Sequence, residues 1–572
     1  MKNISLYEVR PISSLKEMLN SSVDLYGSRT AFLIKKKGNE NYAPVSYKQY
    51  KKDVDALGTA LINLGLKGKR IALIGENRYE WAVSYLAVVN GVGTVVPLDK
   101  ELPENEVESL ILRSRANAII FTGNNRENIM RIAGRIGTVD FFINMDGEES
   151  HDRAISFKDL IEKGYELVSK GDQSFIAAEI NNEDLNMLLF TSGTMDTSKA
   201  VMLSHKNICS NLMAMCSMLY ISEHDIFLSV LPIHHTYECS CGFLCPLYRG
   251  AAIAFCEGLR HIPKNLQESK ATVMLGVPLI FEAFYRRIWD QAAKDPALLK
   301  KLKIGIKISN FLKKLGIDVT KKLFAQVHEN FGGKIKILIS GAAGIDPVVA
   351  KGFRDLGLHF VQGYGLTECS PIVALNRDVD FKDDAAGLPL PNLEVKIDNP
   401  GDDGVGEIIV KGPSVMLGYY EDERATAAVF KDGWLCTGDL GFYDSDGFIH
   451  ITGRKKNVIV TKNGKNIFPE EIEALLNKSP HIKESLVYGE HGGEPGEVSV
   501  SAVIIPDMEK IQEDFKDQKI TDEFVHELIK SEVKDVNKQL VTYKYIKNFR
   551  LRENEFAKTT TKKIKRYLEK QE

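Results

Sequence analysis

Short apolar runs that end at glycine or serine, each set against a helical pattern, recur along much of this chain and leave it few folds. Arg70-Ile71-Ala72-Leu73-Ile74-Gly75 reads as a short buried strand, and Tyr79 to Val89 as the helix that follows. Gly93 to Leu98, Asn117 to Thr122 and Lys334 to Ser340 repeat the strand-then-break pattern. Strands separated by helices imply parallel sheets, because a parallel neighbour is reached only through a long crossover. From about Gly387 the texture changes: LEVKIDNPGDDGVGEIIVKG is a hairpin by its Asn-Pro-Gly-Asp-Asp-Gly turn, within a small β-barrel or twisted antiparallel unit. Beyond Arg454 strands and helices mix again, ending in a lysine-rich tail. With 572 residues the chain exceeds one hydrophobic core and divides into about three or four folding units. The expected class is α/β, with a large N-terminal part of parallel sheets and a small α+β C-terminal part.

Composition excludes more than it assigns. Apolar residues make up 44% and charged residues 26%, ordinary values for a globular protein, and the formal net charge of -3 gives no overall bias toward nucleic acid or an anionic membrane. The N-terminal MKNISLYEVRPISSLKEM lacks the apolar core of a secretory signal. Trp81 to Leu98 is long enough to raise the question of a membrane span, but Asn90, Gly91 and Gly93 interrupt it, and a buried helix running into a strand is the expectation. Eight cysteines in such a chain read as thiols in a reducing cytoplasm. In HHTYECSCGFLC, the residues His234, His235, Cys239, Cys241 and Cys245 match no common zinc spacing, and buried thiols are the simpler reading.

TSGTMDTSKAVMLSH, residues 191 to 205, packs hydroxyls, a glycine and a lysine just after the apolar run Met187-Leu188-Leu189-Phe190. It is not a P-loop: Ser198 precedes Lys199 and Ala200 follows it, so the second glycine and the magnesium-holding hydroxyl are missing at their places. What remains is a hydroxyl-rich turn, with Gly193 letting backbone approach an anion and Lys199 as a point charge. On this segment alone a polar surface loop accounts for the residues equally well.

Its company changes the balance. QGYGLTECSP (362 to 371), WLCTGDLG (434 to 441), ITGRKKNVIVTKNGKNIFPEEIE (451 to 473) and AKTTTKKIKR (557 to 566) follow in order. Together the five segments resemble the core motifs of the adenylate-forming superfamily of acyl-CoA synthetases, peptide-synthetase adenylation domains and luciferases, across nearly the whole chain. The resemblance implies ATP, Mg2+ and CoA, and a reaction in which a carboxylate forms an acyl-adenylate before a thiol displaces AMP. Carried over residue by residue, it places Thr191, Ser192, Gly193, Thr194 and Lys199 around the β- and γ-phosphates. Tyr364 lies against adenine, with Gly341, Ala342, Gly363 and Gly365 on the same nucleotide. Thr367 contacts the α-phosphate, Glu368 holds magnesium with Thr194, and Asp439 and Arg454 take the ribose. Lys563 is the adenylation lysine.

The resemblance also implies a domain of residues 1–453, with its barrel-like part at about 375–453, a hinge at 454–456 centred on Lys456, and a mobile domain of 457–572. After the swing, Gly464 lines the pantetheine tunnel. LPIHHTYECSCGFLCPLYRGA resembles the acyl-pocket segment of long-chain fatty acyl-CoA synthetases, with His235 at the family's histidine position among the catalytic residues. Phe243, Leu244 and the thiols nearby suit an apolar tunnel or plain core. The family's usual TSGTTGxPKG is altered at Met195, Asp196, Ser198 and Ala200; in the last motif Ala557 replaces proline and Lys562 replaces glycine. The leading reading is a ligase joining medium or long fatty acids to CoA. Alternatives are transfer to an acyl carrier protein and, because of the altered loop, a catalytically silent nucleotide-binding homologue. Retention of Glu368, Asp439 and Arg454 argues against silence. A greasy substrate is compatible with peripheral membrane contact, whereas the basic tail lacks the interleaved aromatics that nucleic-acid stacking requires.

Overall fold

The computed structural model describes residues 5–35, 41–147, 150, 154–191, 198–461, 465–491, 498–558 and 564–569. The chain divides into two compact units, one holding most residues up to 395 together with 410–435, the other holding 396–409 and 436 onward.

The larger unit contains two sheets. In one, Ile226–Ser229, Val273–Gly276, Ile337–Ser340 and His359–Gly365 run parallel as neighbours, and Ile372–Leu375 and Leu388–Pro389 add antiparallel strands at one edge. In the other, Lys69–Ile74 lies between Gly93–Leu98 and Ala118–Phe121, all parallel, and beyond Gly93–Leu98 comes Leu185–Thr191, again parallel. Lys199–Ser204 then pairs antiparallel with Leu185–Thr191. The sheets are therefore mixed: crossover helices produce the parallel centre as the alternation predicts, and strands that return without a crossover helix add antiparallel edges.

Trp81 to Leu98 is a buried helix running into a strand. Tyr79–Ala87 is helical, a wide turn follows at Val88–Val92, and Gly93 opens the strand. A Cβ on Gly93 would lie 2.0 Å from the Lys69 carbonyl oxygen, so the parallel neighbour admits only glycine there. No helix among the described residues is long and apolar enough to cross a membrane.

Sequence also fixes where the helices begin. Ser204 ends a strand and caps His205–Cys216: its hydroxyl accepts from the Asn207 N–H while the Asn207 side chain accepts from the Ser204 N–H, a reciprocal cap. His205 is buried behind it, taking the Leu15 N–H at Nδ1 and facing the Val89 carbonyl through Nε2, an arrangement that suits a neutral ring. Burial lowers its pKa to about 4.

In the smaller unit, Asp439 to Tyr443 at the end of the strand Trp434–Tyr443 pair antiparallel with Ile449–Arg454. Further along, Ile482–His491 and Val498–Pro506 are antiparallel, and Ile546–Leu551 joins the latter in parallel. Asp522–Asn537 covers this sheet. Thr521 caps the helix, and Val525, Ile529, Val533 and Val536 recur at helical spacing on its buried face, against Ile472, Val500 and Ile504.

Candidate active site

Ligands of open α/β sheets bind beyond the carboxyl ends of the parallel strands, where chain leaves the sheet and backbone groups lose their ladder partners. In the larger unit those ends carry most of the residues that the motifs single out.

Thr191 ends Leu185–Thr191 and stands opposite Lys199 in the antiparallel register, so the two ends of the hydroxyl-rich segment face each other. Ser192, Gly193 and Thr194 lie outside the described residues, as do Met195 and Asp196. The far rail is pinned by Arg113, whose guanidinium donates to the Ser198 hydroxyl at 3.1 Å and carbonyl at 2.6 Å. Ser198, one of the departures from the usual pattern, thus has a defined partner. Ala200, another, is buried opposite Phe190.

Lys199 does not stand alone. Gly418–Tyr419 pairs with its strand, placing the Lys199 Nζ 4.6 Å from the centroid of the Tyr419 ring. The Tyr419 hydroxyl donates to Glu368 Oε1 at 2.9 Å. Burial and the neighbouring Glu368 charge push the Tyr419 pKa well above its ordinary value, so it remains a donor. One side chain therefore ties the lysine of the first motif to the carboxylate of the second.

Glu368 sits in the tight turn Thr367–Cys369 just past His359–Gly365, and its carbonyl accepts from the Met416 N–H at 2.8 Å. Tyr364 is half-buried near the end of that strand. Gly365 is required by space: a Cβ would lie 2.1 Å from the Pro371 carbonyl oxygen. Gly363 is tight as well, since a Cβ there would lie 3.0 Å from Leu375 Cδ1. Thr367 Oγ1 lies 3.3 Å from Thr236 Oγ1, which brings in the histidine segment. At Gly341, just beyond Ile337–Ser340, a Cβ would meet the Tyr237 ring at 2.7 Å, and Ala342 follows in a left-handed conformation at φ 71°.

His235 is half-buried with its ring centroid 4.3 Å from that of His234. His234 Nε2 lies 3.7 Å from an Asp99 carboxylate oxygen, yet burial lowers the His234 pKa to about 3 and the ring stays neutral. Two residues beyond Thr236, the Glu238 carboxyl is buried. Ser229 donates to Oε1 at 2.6 Å, while Oε2 has no hydrogen-bond partner among the described residues. Burial raises its pKa to about 8. Asn77 completes this network, donating to the Ser229 hydroxyl and the Leu231 carbonyl and accepting from the Ile233 N–H. These bonds fix the turn that presents His234, His235 and Thr236.

Phe243 and Leu244 are fully buried, and the Phe243 ring packs against those of Trp81, Tyr85 and Phe32. They are core rather than tunnel wall. Cys239, Cys241 and Cys245 are buried free thiols, with Cys245 Sγ 3.5 Å from Cys216 Sγ.

In the smaller unit Asp439 and Arg454 face each other across the strand pair, with Nε to Oδ1 at 2.7 Å. Asp439 is buried and Arg454 exposed. Lys456 lies in the short helical turn Lys455–Asn457 that follows, where Lys455 pairs with Glu407 at 2.7 Å. Gly464 and Lys563 lie outside the described residues, as does Lys562.

Thr191, Lys199, Gly341, Tyr364, Thr367, Glu368 and His235 thus belong to connected segments of one unit, and Asp439, Arg454 and Lys456 to the other. Sequence reasoning missed Tyr419, Thr236, Arg113 and Glu238. Only Glu238 carried a signal, as an acid in an otherwise apolar run.

The AMP-binding enzyme family matches residues 20–420, and the AMP-binding enzyme C-terminal domain matches residues 456–569. Fatty acyl-CoA synthetase A of Dictyostelium discoideum is 30% identical over 542 residues, covering 90% of this chain and 78% of that protein. Long-chain-fatty-acid–CoA ligase 5 of Rattus norvegicus is 30% identical over 493 residues, covering 80% and 70%. Among solved structures, ATP-bound MatB from Rhodopseudomonas palustris shares the fold with a TM-score of 0.75 at 24% identity, covering 98% of each chain. With motifs, strand-end geometry and family match in agreement over most of its length, the chain belongs to the AMP-binding enzyme family, as an adenylate-forming acyl-CoA ligase.

Proposed function

We propose that this chain is an ATP-dependent fatty acid–CoA ligase acting on medium- or long-chain acids. The observation that carries the reading is the meeting of Lys199 and Glu368 on Tyr419, at strand ends and in the turn that also holds Thr367. It ties a cation and a carboxylate to the two ends of one side chain, and these are the two groups that a triphosphate and its divalent ion require. The names of the fatty acyl relatives support the substrate class.

A carboxylate is a poor acyl donor because oxide cannot leave. Its attack on the α-phosphorus of ATP gives an acyl-adenylate and expels pyrophosphate; a thiol then attacks the acyl carbon and AMP leaves. The first step brings two anions together, so catalysis is chiefly positioning and charge stabilisation. In this reading Thr191, Ser192, Gly193, Thr194 and Lys199 hold the β- and γ-phosphates, and Thr367 the α-phosphate. Tyr364 takes the adenine with Gly341, Ala342, Gly363 and Gly365 beside it, and Asp439 and Arg454 take the ribose. Lys563 bridges carboxylate and α-phosphate, and His235 borders the acyl group. A hard carboxylate oxygen beside hydroxyls fits magnesium; Glu368 would hold it with Thr194, and it supplies charge neutralisation across the phosphates when bound. The domain of residues 457–572 turns about Lys456 between the two steps, which brings Gly464 to the pantetheine arm of CoA.

The test is exchange of labelled pyrophosphate into ATP across acids of rising chain length, without CoA, with Lys563→Ala as control. Exchange that peaks at one chain length and disappears in the variant is expected. Exchange with no fatty acid, or none that depends on Lys563, overturns the reading. Thioester formation with CoA, set against a holo acyl carrier protein, identifies the acceptor.

A further inference from the structure

The helix Pro296–Lys314 of the larger unit carries two apolar stripes. One faces inward: Leu302, Gly305 and Ser309 are buried, and Leu302 joins a cluster with Ala292, Phe324 and Leu356. The other is left in solvent. Ile304, Ile308, Phe311 and Leu315 follow one another at i, i+4, i+7 and i+11, and are 45, 48, 63 and 62% exposed. Ile317 continues the patch at 51%. Helices at a protein surface normally turn polar residues outward, and a continuous apolar row there marks an interaction surface.

The charges beside the row say what covers it. At about 100° per residue, Lys300, Lys303, Lys307 and Lys314 fall along one flank of the stripe and Lys301 along the other; all five are exposed. Residues 294–322 hold nine lysines against two aspartates, Asp295 and Asp318, in a chain whose net charge is -3. The basic residues are thus concentrated on this element against the trend of the whole sequence. Lysine stems can lie along apolar surface while their ammonium groups reach past it. A second copy of the chain is a poor occupant, because a two-fold contact would bring the two lysine flanks together.

We propose that this helix is a membrane-surface anchor, its Ile304–Ile308–Phe311–Leu315 row entering the acyl boundary of a bilayer while the flanking lysines meet anionic headgroups. The apolar row supplies insertion and the lysines supply selectivity for acidic lipid. The surface is separate from the candidate active site, so the outcome of the test below leaves the ligase assay unaffected.

The experiment is flotation of the full chain with vesicles of phosphatidylcholine alone and of phosphatidylcholine mixed with phosphatidylglycerol. Binding to the mixed vesicles only, weakened by salt, is expected. Lysines near an anionic surface contribute about fivefold each, so Lys300→Gln, Lys303→Gln and Lys307→Gln together should weaken it on the order of a hundredfold. Phe311→Ser should release the protein while leaving its thermal unfolding unchanged, and the emission of Phe311→Trp should shift to the blue on adding mixed vesicles. Absence of binding to the mixed vesicles overturns the proposal. So does equal binding to both vesicle types, indifference to Phe311→Ser, or a solution dimer that Phe311→Ser dissolves, which would assign the face to a protein contact.

Discussion

Replacing Tyr419 with phenylalanine deletes one oxygen atom and separates the two interactions that join Lys199 to Glu368. The hydroxyl donates to a carboxylate at 2.9 Å, whereas the ring supports the ammonium at 4.6 Å. A hydrogen bond to a charged partner contributes about 1.5–3 kcal/mol. Glu368 is half-buried and water can replace part of the bond, so the lower end applies, about tenfold in an equilibrium or rate. A cation over an aromatic ring at a partly exposed place adds about 0.5–1 kcal/mol, or roughly two- to fivefold. Tyr419→Phe should therefore lower kcat/KM for MgATP about tenfold in pyrophosphate exchange, and Tyr419→Leu a few times further. Both variants should retain the wild-type circular dichroism spectrum. If the phenylalanine variant matches wild type while the leucine variant loses activity, the hydroxyl does not hold Glu368 in place for ATP.

Glu238 gives a pH prediction. Its folded pKa, raised to about 8, lies above the ordinary value of a glutamate in the unfolded chain. Between those values the native state keeps a proton that the unfolded state has lost, so stability falls as pH rises through this window and levels off above about 8. Glu238→Gln should flatten that slope, gaining on wild type in urea unfolding at pH about 9 relative to pH about 6; parallel curves would contradict it. Lys456→Pro should spare pyrophosphate exchange and abolish thioester formation; equal loss of both steps would remove Lys456 as the hinge.

What could be read from the sequence follows from how far apart the determining contacts lie. Lys69–Ile74 and Gly93–Leu98 were legible because a buried parallel strand must be an apolar run, and Gly93 because its neighbour's backbone leaves no room. The hairpin at Lys199 was less so, since a hydroxyl-rich loop looks the same whether or not it is held. Tyr419 was missed because its partner is 51 residues away and nothing in GYYEDE marks it. Arg113 stands 85 residues from Ser198. Phe243 shows the limit of composition: tunnel wall and core use the same residues, and only the surrounding rings of Trp81 and Tyr85 decide between them. The row along Pro296–Lys314 hid for the opposite reason, since apolar spacing suggests burial and only exposure shows that one stripe is unused.

The hairpin that carries the first motif has a consequence for how such a chain can diverge. Its two rails are locked by paired backbone from Leu185 opposite Ser204 up to Thr191 opposite Lys199, by Arg113 on Ser198, and by the helix that Ser204 starts. None of these anchors uses a side chain between positions 192 and 197. The register of the two rails is thus set by residues on either side of the window and by Arg113, before the joining segment is considered. A relative's residues grafted across the same window would then be inserted between two rails already held in register.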